Sequence, residues 1–377
     1  MFVAWRDLRF ASGRFALMTG VVVLITFLVT FLSALTSGLA RESTSAIADL
    51  PADHLAFGSG EEPSFTSSQV DAAQREAFAG ADGVEAVDPL GVATTRSAVG
   101  GTTASVTVLG AEPGASVLPE GVDLADGSTW LSGGAAEELD AAAGDTLAVA
   151  GQELVVAGVA DVDASFSHTP VVWTTLADWQ AVGSPSRGGD GGADGGDGGA
   201  GGGTGGPAAG RDVATVLALT TSGADLAALD AEAGTMTVSR GDSLQAIGSY
   251  SSENGSLMMM QGFLYAISAL VVGSFFTVWT ISRSDDVAVL KALGASTGYL
   301  MRDALGQATV VLLAGTVLGS GLATATAWAI SGVMPVAVGW TTTVLPVAIL
   351  VGLGLLGAGL ALRRLASVDP HAALSAS

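Results

Sequence analysis

The chain has 377 residues, a net charge of −22 and a mean hydropathy of +0.54, and 49% of its residues are hydrophobic. A soluble globular protein rarely combines so many apolar residues with so large a charge, so the composition excludes an ordinary soluble domain and indicates separate apolar and acidic segments. The absence of cysteine excludes disulfide bonds and thiolate metal sites.

Four segments are long and apolar enough to cross a bilayer, which requires about 20 mostly apolar residues. We predict membrane-spanning helices over residues 15–36, 257–281, 304–331 and 343–362. The first apolar core is longer than that of a cleaved signal peptide, so we expect this span to be retained. Ahead of it, residues 1–14 place arginines beside apolar side chains, a pattern that predicts an interfacial helix on the cytoplasmic surface.

The basic residues predict the orientation of the chain. If the N-terminus is cytoplasmic, the inner segments are residues 1–14, 282–303 and 363–377, which hold eight cations and five acids. The remaining six cations and 31 acids lie in residues 37–256, which have a net charge of −25. We therefore expect a multi-pass protein of the cell membrane with both termini cytoplasmic, a large extracytoplasmic domain over residues 37–256 and a short external loop over residues 332–342.

The pattern of residues 37–256 is that of a folded α+β domain. Short β-rich runs alternate with helical patterns that end in Gly-Asp or similar turn signals. The predicted strands are residues 106–110, 145–160, 169–175, 213–220 and 235–239, and the predicted helices are residues 68–79, 133–145 and 224–233. Residues 187–210 contain fourteen glycines, a composition that cannot bury a core, so we predict a disordered insertion there.

No enzyme signature is evident in the sequence. The three histidines, His54, His168 and His371, lie far apart along the chain. Four polar residues precede His168 closely and could suggest a catalytic triad or a metal site: Asp161, Asp163, Ser165 and Ser167. Because a triad is defined by geometry that proximity in sequence does not supply, loop neighbours are the simpler interpretation. We expect no enzymatic activity and no metal site.

The sequence contains no nucleotide-binding motif in the context that such a motif requires. Residues 352–357 match GxGxxG but lie within the fourth span, where glycines favour close helix packing. A P-loop needs Gly-Lys-Ser/Thr, and the only lysine, Lys291, is not in such a motif. Any ATP must therefore be hydrolysed by a separate chain. Other small residues in the spans favour helix packing within the chain or a dimer seam, and the sequence does not decide between them: Gly262, Ala266, Ala269, Gly273, Gly315 and Gly319.

Three consecutive methionines, Met258, Met259 and Met260, begin the second span, shortly after Glu253. Thioether and carboxylate groups could ligate haem iron or a soft metal. The simpler interpretation is that the methionines are flexible apolar residues that fill space where the span enters the membrane.

The segment between the second and third spans, DDVAVLKALGAS, has the pattern of a short helix. Val287, Leu290 and Leu293 form one apolar stripe after an acidic start, and Gly294 ends the helix. Ser296 is placed to cap a second helix that leads into the third span. Such a segment either packs against its own spans or docks into a groove on a cytoplasmic partner.

This segment closely resembles the coupling segment of MacB/FtsX-type ABC transporter permeases. The tail LRRLASVDPHAAL is similar to the basic end of that family, and the stretch AAEELDAAAGDTLAVAGQELVVAGVA is similar to its periplasmic core. The start WRDLRFASGRFALM resembles the branch that contains DevC-type and haem-exporter permeases. The Gly/Asp insertion departs from the family, and the chain lacks the ATPase domain that is fused to MacB itself.

The resemblance implies a fold and a mechanism. The fold is an α-helical membrane protein with four transmembrane helices and a MacB-like α+β periplasmic core between the first two. Two permeases pair as a homodimer in membrane lipid, and two copies of an ABC ATPase subunit dock on the coupling segment. The docking residues are Asp286, Val287, Leu290, Lys291, Leu293, Gly294, Ala295 and Ser296. ATP and Mg²⁺ are used by that partner, no cofactor is bound directly, and haem is a candidate substrate.

Three functions remain open. The favoured one is export of an amphiphilic or hydrophobic substrate, in which closure of the ATPase subunits is transmitted across the membrane. The alternatives are an FtsX-like mechanotransmitter that regulates an extracellular cell-wall hydrolase without transport, and an ATPase-independent membrane-anchored binding module. In none of these do we expect a nucleic-acid partner.

Overall fold

The computed structural model describes residues 12–58, 60, 62–182, 214–281 and 296–366. The chain forms two compact units, one made of Met1–Leu39 and Asn254–Ser377 and the other of Ala40–Glu253. We call the first the membrane unit and the second the sheet unit. The predicted insertion, nearly all of the predicted interfacial helix, and most of the predicted coupling segment and C-terminal tail lie outside the described residues.

Nine α-helices lie in the described part of the chain: α1 (Ser12–Ala48), α2 (Ala72–Ala79), α3 (Gly133–Leu139), α4 (Leu176–Val182), α5 (Leu226–Ala233), α6 (Arg240–Ser243), α7 (Gly248–Ile281), α8 (Thr297–Ile330) and α9 (Trp340–Ala366). A 3-10 helix, Leu244–Ala246, follows α6. Four helices are long and apolar enough to cross a membrane, over Ala16–Ala48, Gly248–Val278, Met301–Ile330 and Trp340–Leu360. The prediction of four membrane-spanning helices is confirmed.

Two of the long helices extend beyond their apolar runs. Helix α1 continues without a break to Ala48, and α7 begins at Gly248. The apolar length of a segment shows where a bilayer can be crossed, whereas a helix continues for as long as its backbone hydrogen bonds do. The polar ends of α1 and α7 therefore belong to the sheet unit although the same helices enter the membrane unit.

Glycines allow close helix packing inside the membrane unit. A Cβ atom on Gly315 would lie 2.6 Å from Val22 Cγ1, and one on Gly319 would lie 2.6 Å from the Val23 carbonyl oxygen, so α8 packs directly on α1. A Cβ atom on Gly357 of α9 would lie 3.2 Å from the Cα atom of Gly273 on α7. Three of the small residues that the sequence offered for a dimer seam are therefore engaged within this chain.

The sheet unit contains ten strands in its described part: β1 (His54–Gly58), β2 (Val84–Val99), β3 (Thr102–Ala111), β4 (Ser128–Leu131), β5 (Thr146–Val149), β6 (Gln152–Val159), β7 (Ser165–Phe166), β8 (Thr169–Thr175), β9 (Val216–Thr221) and β10 (Thr235–Ser239). Their order is β10-β1-β9-β2-β3-β8-β4-β6-β5, and β7 pairs with β8. Strand β5 also pairs with β2, so β2, β3, β8, β4, β6 and β5 close into a small barrel.

A tryptophan fills the interior on one side of this barrel. Trp179 of α4 is buried with apolar side chains of β3, β4, β5, β6 and β8. It lies directly on Gly91 of β2 and Gly110 of β3, where a Cβ atom would overlap its side chain. These two strands carry glycine at that level because the helix packs so closely against them.

The chain enters and leaves the sheet unit through two adjacent strands. Strands β1 and β10 pair in antiparallel fashion, with His54 opposite Ser239. The backbone N–H of Arg240 donates to the Asp53 carbonyl at 2.9 Å, and the Arg240 guanidinium donates to the carbonyl of Leu50, just beyond α1. These contacts attach the end of α1 to the residues that lead into α7.

Several predicted elements of this unit match the structure closely. Strands β8 and β10 occupy residues 169–175 and 235–239, as predicted. Helix α2 begins at Ala72 because Asp71 caps it in a capping box with Gln74. Helix α3 ends at Leu139 because Asp140 has a left-handed conformation. Strands β1, β2, β4 and β7 were not predicted.

Candidate functional site

The proposed ATPase-docking segment falls mostly outside the described residues. Its last residue, Ser296, is described and has extended backbone angles immediately before α8. The Ser296 hydroxyl accepts a hydrogen bond from the backbone N–H of Tyr299 at 3.3 Å, so the predicted N-cap is present. The docking role of the segment stays a prediction.

The three methionines lie on the exposed surface of α7 in this single chain. Met258, Met259 and Met260 are 64%, 65% and 55% exposed. Consecutive residues of a helix point in directions about 100° apart, so the three thioethers cannot all reach one ligand from one side. A flat ligand would contact one or two of them, and their role as ligands stays a prediction.

A polar cluster in the sheet unit is centred on the turn between β7 and β8. Ser167 and His168 connect the two strands, and both have a left-handed backbone with φ of 52° and 62°. Two-residue hairpin turns of this kind strongly favour Asn-Gly, because residues with a Cβ atom are strained at positive φ. This turn therefore holds its serine and histidine in a conformation that neither residue favours.

The turn binds to the polar end of α1. The backbone N–H groups of Ser167 and His168 donate to the carbonyls of Ser43 and Glu42, at 2.9 and 3.2 Å. The His168 Nε2 atom lies 2.8 Å from the Ser43 hydroxyl oxygen. Two residues further along the helix, the Ser45 hydroxyl accepts a hydrogen bond from the Ser165 backbone N–H at 2.9 Å. Backbone and side-chain groups thus both fasten the hairpin to α1.

The same turn also binds the start of α7. The Ser167 hydroxyl donates to the Ser249 hydroxyl at 2.9 Å. The Nε2 atom of His168 lies 3.0 Å from a carboxylate oxygen of Glu253. Each residue of the turn therefore contacts both α1 and α7, and the ends of both long helices are joined through two residues.

The electrostatic setting of the imidazole is acidic on both sides. Its Nε2 atom faces Glu253, and its Nδ1 atom lies 3.8 Å from a carboxylate oxygen of Glu42. The His168 side chain is 31% exposed, so water screens both pairs only in part. The ring therefore lies between two acidic side chains, one on each long helix.

The sequence did not reveal this cluster. It placed His168 beside Asp161 and Asp163, whereas in the described residues the carboxylates within 4 Å of the ring belong to Glu42 and Glu253. Among the described residues no group of three metal-ligating side chains is close enough to hold a metal ion. The arrangement is therefore a set of hydrogen bonds and ion pairs between secondary-structure elements. No local pattern could have indicated it, because its members come from three separate parts of the chain.

Family models and related proteins match nearly the whole chain. A model of the MacB-like periplasmic core domain matches residues 15–236, and a model of the FtsX-like permease C-terminal region matches residues 244–370. The chain is 24% identical over 388 residues to the "Putative hemin transport system permease protein HrtB" of Staphylococcus epidermidis, with 99% of each chain covered. Its counterpart in Staphylococcus haemolyticus is 23% identical over 379 residues, again with 99% of each covered.

A comparison with solved structures gives a weaker similarity. The extracellular domain of the ABC-type transporter YknZ from Gram-positive bacteria aligns with a TM-score of 0.33 at 15% identity, over 50% of this chain and 98% of that domain.

Four helices that are able to cross a membrane, with a large domain inserted after the first, define a multi-pass membrane protein. The two matched models together cover nearly the whole chain, and the protein belongs to the MacB/FtsX family of ABC transporter permeases. Permeases of this family are membrane components of transporters that work with an ATPase subunit, and they are in general not enzymes themselves. The predicted family and fold class are confirmed.

Proposed function

We propose that the protein is the permease of an ABC exporter that extrudes haem, an amphiphilic and largely apolar substrate. The observation that carries this proposal is the match over 99% of both chains to relatives that are described as hemin transport permeases. Two copies of the permease form a homodimer, and two copies of a separate ATPase subunit supply the energy. Both termini and residues 282–303 are cytoplasmic, and the sheet unit is extracytoplasmic.

ATP hydrolysis is assigned to a partner because this chain has no P-loop. The partner docks on residues 286–296, where Leu290 and Leu293 fill its groove and Lys291 contacts its surface. The N-cap at Ser296 supports this assignment, because it starts α8 directly after the docking segment. Closure of the ATPase subunits then moves α8 and the neighbouring spans.

The proposed haem contact lies on α7. Met260, Phe263, Ile267 and Leu270 are spaced along one face of this helix, and all are more than half exposed. Such an apolar face fits a porphyrin ring that arrives from the bilayer, and a methionine at its start can offer a thioether to the iron. Glu253 lies two helical turns, or about 10 Å, from Met260, so both cannot ligate the iron of one haem from this helix. We propose that methionine is the ligand and that Glu253 serves mainly the contact with His168.

A second candidate function is favoured by one observation. Helices α1 and α7 run without a break from the membrane unit into the sheet unit. Unbroken helices suit the transmission of movement, so an FtsX-like mechanotransmitter that regulates a cell-wall hydrolase uses the same features without transport.

Co-purification tests the docking segment. Leu290→Asp and Lys291→Glu are each expected to remove the ATPase subunit from the purified permease. Arg96→Glu makes the same charge change as Lys291→Glu on an exposed residue of β2 and is expected to leave the complex intact. Retention of the ATPase by both docking variants would contradict the assignment of this segment.

Absorption spectroscopy tests the substrate. Titration of the purified wild-type chain with haem is expected to shift the haem absorption band, and the triple variant Met258→Leu, Met259→Leu, Met260→Leu is expected to lose the shift. Met236→Leu in β10 is the matched control. If the triple variant gives the wild-type spectrum, methionine is not the ligand. If the wild type gives no shift, the mechanotransmitter becomes the better account.

A further inference from the structure

We infer that the Ser167–His168 turn is a mechanical clasp that ties α1 and α7 to strand β8 and carries their movement into the sheet unit. The inference rests on the proposed function, because it assigns to the turn a positioning role in the transport cycle. It names a place in the fold where movement of the two helices enters the sheet.

The backbone of the turn is the first reason. Two consecutive non-glycine residues at positive φ persist only where the surrounding structure determines them. The preceding hairpin in the sequence, between β5 and β6, has the glycine that is usual in such a turn: Ala150 and Gly151 have φ of 47° and 84°. The β7–β8 turn has no glycine, and both of its side chains are used to bind helices.

The second reason is the distribution of the contacts. On α1 the turn holds the Glu42 and Ser43 carbonyls through backbone N–H groups, and on α7 it holds Ser249 and Glu253 through side chains. If these contacts served only to shield the hairpin from solvent, contacts to a single helix would be enough. The imidazole reaches Ser43 on one helix and Glu253 on the other, so a shift of either helix acts on the same ring.

The third reason is the strand that follows. Strand β8 begins at Thr169, directly after His168, and all of its residues from Pro170 to Thr175 are buried. It pairs with β3 in parallel and with β4 in antiparallel fashion inside the closed barrel. Because a packed sheet is stiff, a displacement of the turn moves β8 together with its neighbours rather than bending one loop.

The clasp is not needed merely to attach the helices. The sheet unit already holds the end of α1 through Arg240 and the pairing of β1 with β10. The hairpin is a second, separate attachment, and it reaches a different part of the sheet. Two attachments allow a change in the direction of α1 or α7 to be converted into a movement of β8 relative to β1.

The test replaces the turn by the sequence that hairpins prefer. The double variant Ser167→Asn, His168→Gly forms an Asn-Gly turn, which is expected to keep the hairpin while it removes the contacts of both side chains. Ala150→Asn makes the same Asn-Gly turn between β5 and β6, away from the clasp, and is the matched control. Both variants are measured in the full chain with its ATPase partner.

Hydrogen–deuterium exchange of residues 42–45 and 249–253 gives a readout that needs neither haem nor ATP. We expect faster exchange of both segments in the double variant and no change in Ala150→Asn. Unchanged exchange in the double variant would overturn the clasp whether or not the protein transports haem.

The coupling readout is the ratio of haem exported to ATP hydrolysed. We expect the double variant to assemble with the ATPase and to hydrolyse ATP, but to export haem about tenfold less per ATP, within the usual range of coupling between distant sites. His168→Gln, which keeps a side-chain donor, is expected to recover part of the ratio. If the double variant exports as much haem per ATP as the wild type, the side chains of the turn have no role in coupling. Failure of the wild type to export haem would instead overturn the proposed substrate, while the exchange experiment still decides the clasp.

Discussion

The Nε2 atom of His168 lies 3.0 Å from a carboxylate oxygen of Glu253, although 85 residues separate the two in sequence. The histidine belongs to a hairpin of the sheet unit, and the glutamate belongs to α7, which goes on to form a membrane-spanning helix. With Ser43 and Glu42 of α1 on the same ring, one side chain joins both long helices to the sheet.

Removal of the imidazole is expected to destabilise the sheet unit. His168→Ala deletes a hydrogen bond to a charged group and leaves Glu42 and Glu253 without the ring that bridges them. Because the side chain is partly exposed, we expect a loss of about 1 kcal/mol in the free energy of unfolding. Chemical denaturation of the full chain in detergent measures it.

His54→Ala provides the matched control for that measurement. His54 lies 3.2 Å from the Thr221 hydroxyl oxygen, which is a single contact to a neutral group. The control is therefore expected to lose about 0.5 kcal/mol. Equal losses for the two variants would contradict a special role of the His168 contacts.

A disulfide can be placed across the clasp, because the chain has no other cysteine. The hydroxyl oxygens of Ser167 and Ser249 are 2.9 Å apart, so Ser167→Cys with Ser249→Cys is expected to cross-link upon mild oxidation. Ser167→Cys with Ser251→Cys is the control, since Ser251 lies two residues on and points to another side of α7. Mass spectrometry of the peptides detects the bond, and equal cross-linking of both pairs would show that the contact between turn and helix is not specific.

Close packing of Trp179 makes two glycines of the barrel sensitive to substitution. A methyl group at Gly110 would overlap the Trp179 side chain, so Gly110→Ala is expected to destabilise the sheet unit by about 1–3 kcal/mol. Gly133 has no atom within 4 Å of the position of its Cβ and begins α3, so Gly133→Ala is expected to be neutral or slightly stabilising. Thermal unfolding compares the two. A tolerated Gly110→Ala would mean that α4 does not pack on β3 as described.

The contact between α1 and α8 depends on small residues in the same way. Gly319→Leu is expected to separate these helices, because even a Cβ atom there would lie 2.6 Å from the Val23 carbonyl oxygen. The cost is expected to be about 1–3 kcal/mol or a failure to accumulate in the membrane. Gly321→Leu, two residues away with open space around its Cβ position, is the control. Limited proteolysis in membranes measures both, and equal resistance to protease would contradict the packing.

Features that depend on local sequence were predictable here. The four spans follow from uninterrupted apolar length, and β8 and β10 follow from short β-branched runs between turn signals. Strand β2 was missed because Pro89, Gly91 and Arg96 interrupt any alternating pattern. Its sixteen residues are held by partners distant in sequence, β9 along its first half and β3 along its second. Such a strand is determined by the sheet rather than by its own residues.

The two candidate sites also differ in whether local sequence could indicate them. The docking segment could be proposed from the sequence because a helix pattern and a family resemblance coincide in about a dozen consecutive residues, and its docking role stays a prediction. The contacts of His168 were not visible, since Glu42, Ser43 and Glu253 give no local signal and their proximity follows from the path of the chain. Sequence neighbours suggested Asp161 and Asp163 instead, which the described ion pairs do not include.

The central claim is that the chain couples ATP hydrolysis by a separate subunit to the extrusion of haem. The most direct measurement is ATP hydrolysis and haem efflux together, in vesicles that contain the permease and its ATPase. The account predicts that haem stimulates hydrolysis, that efflux requires ATP, and that Leu290→Asp abolishes both. Hydrolysis that does not respond to haem, with no efflux above that of Leu290→Asp vesicles, would contradict it.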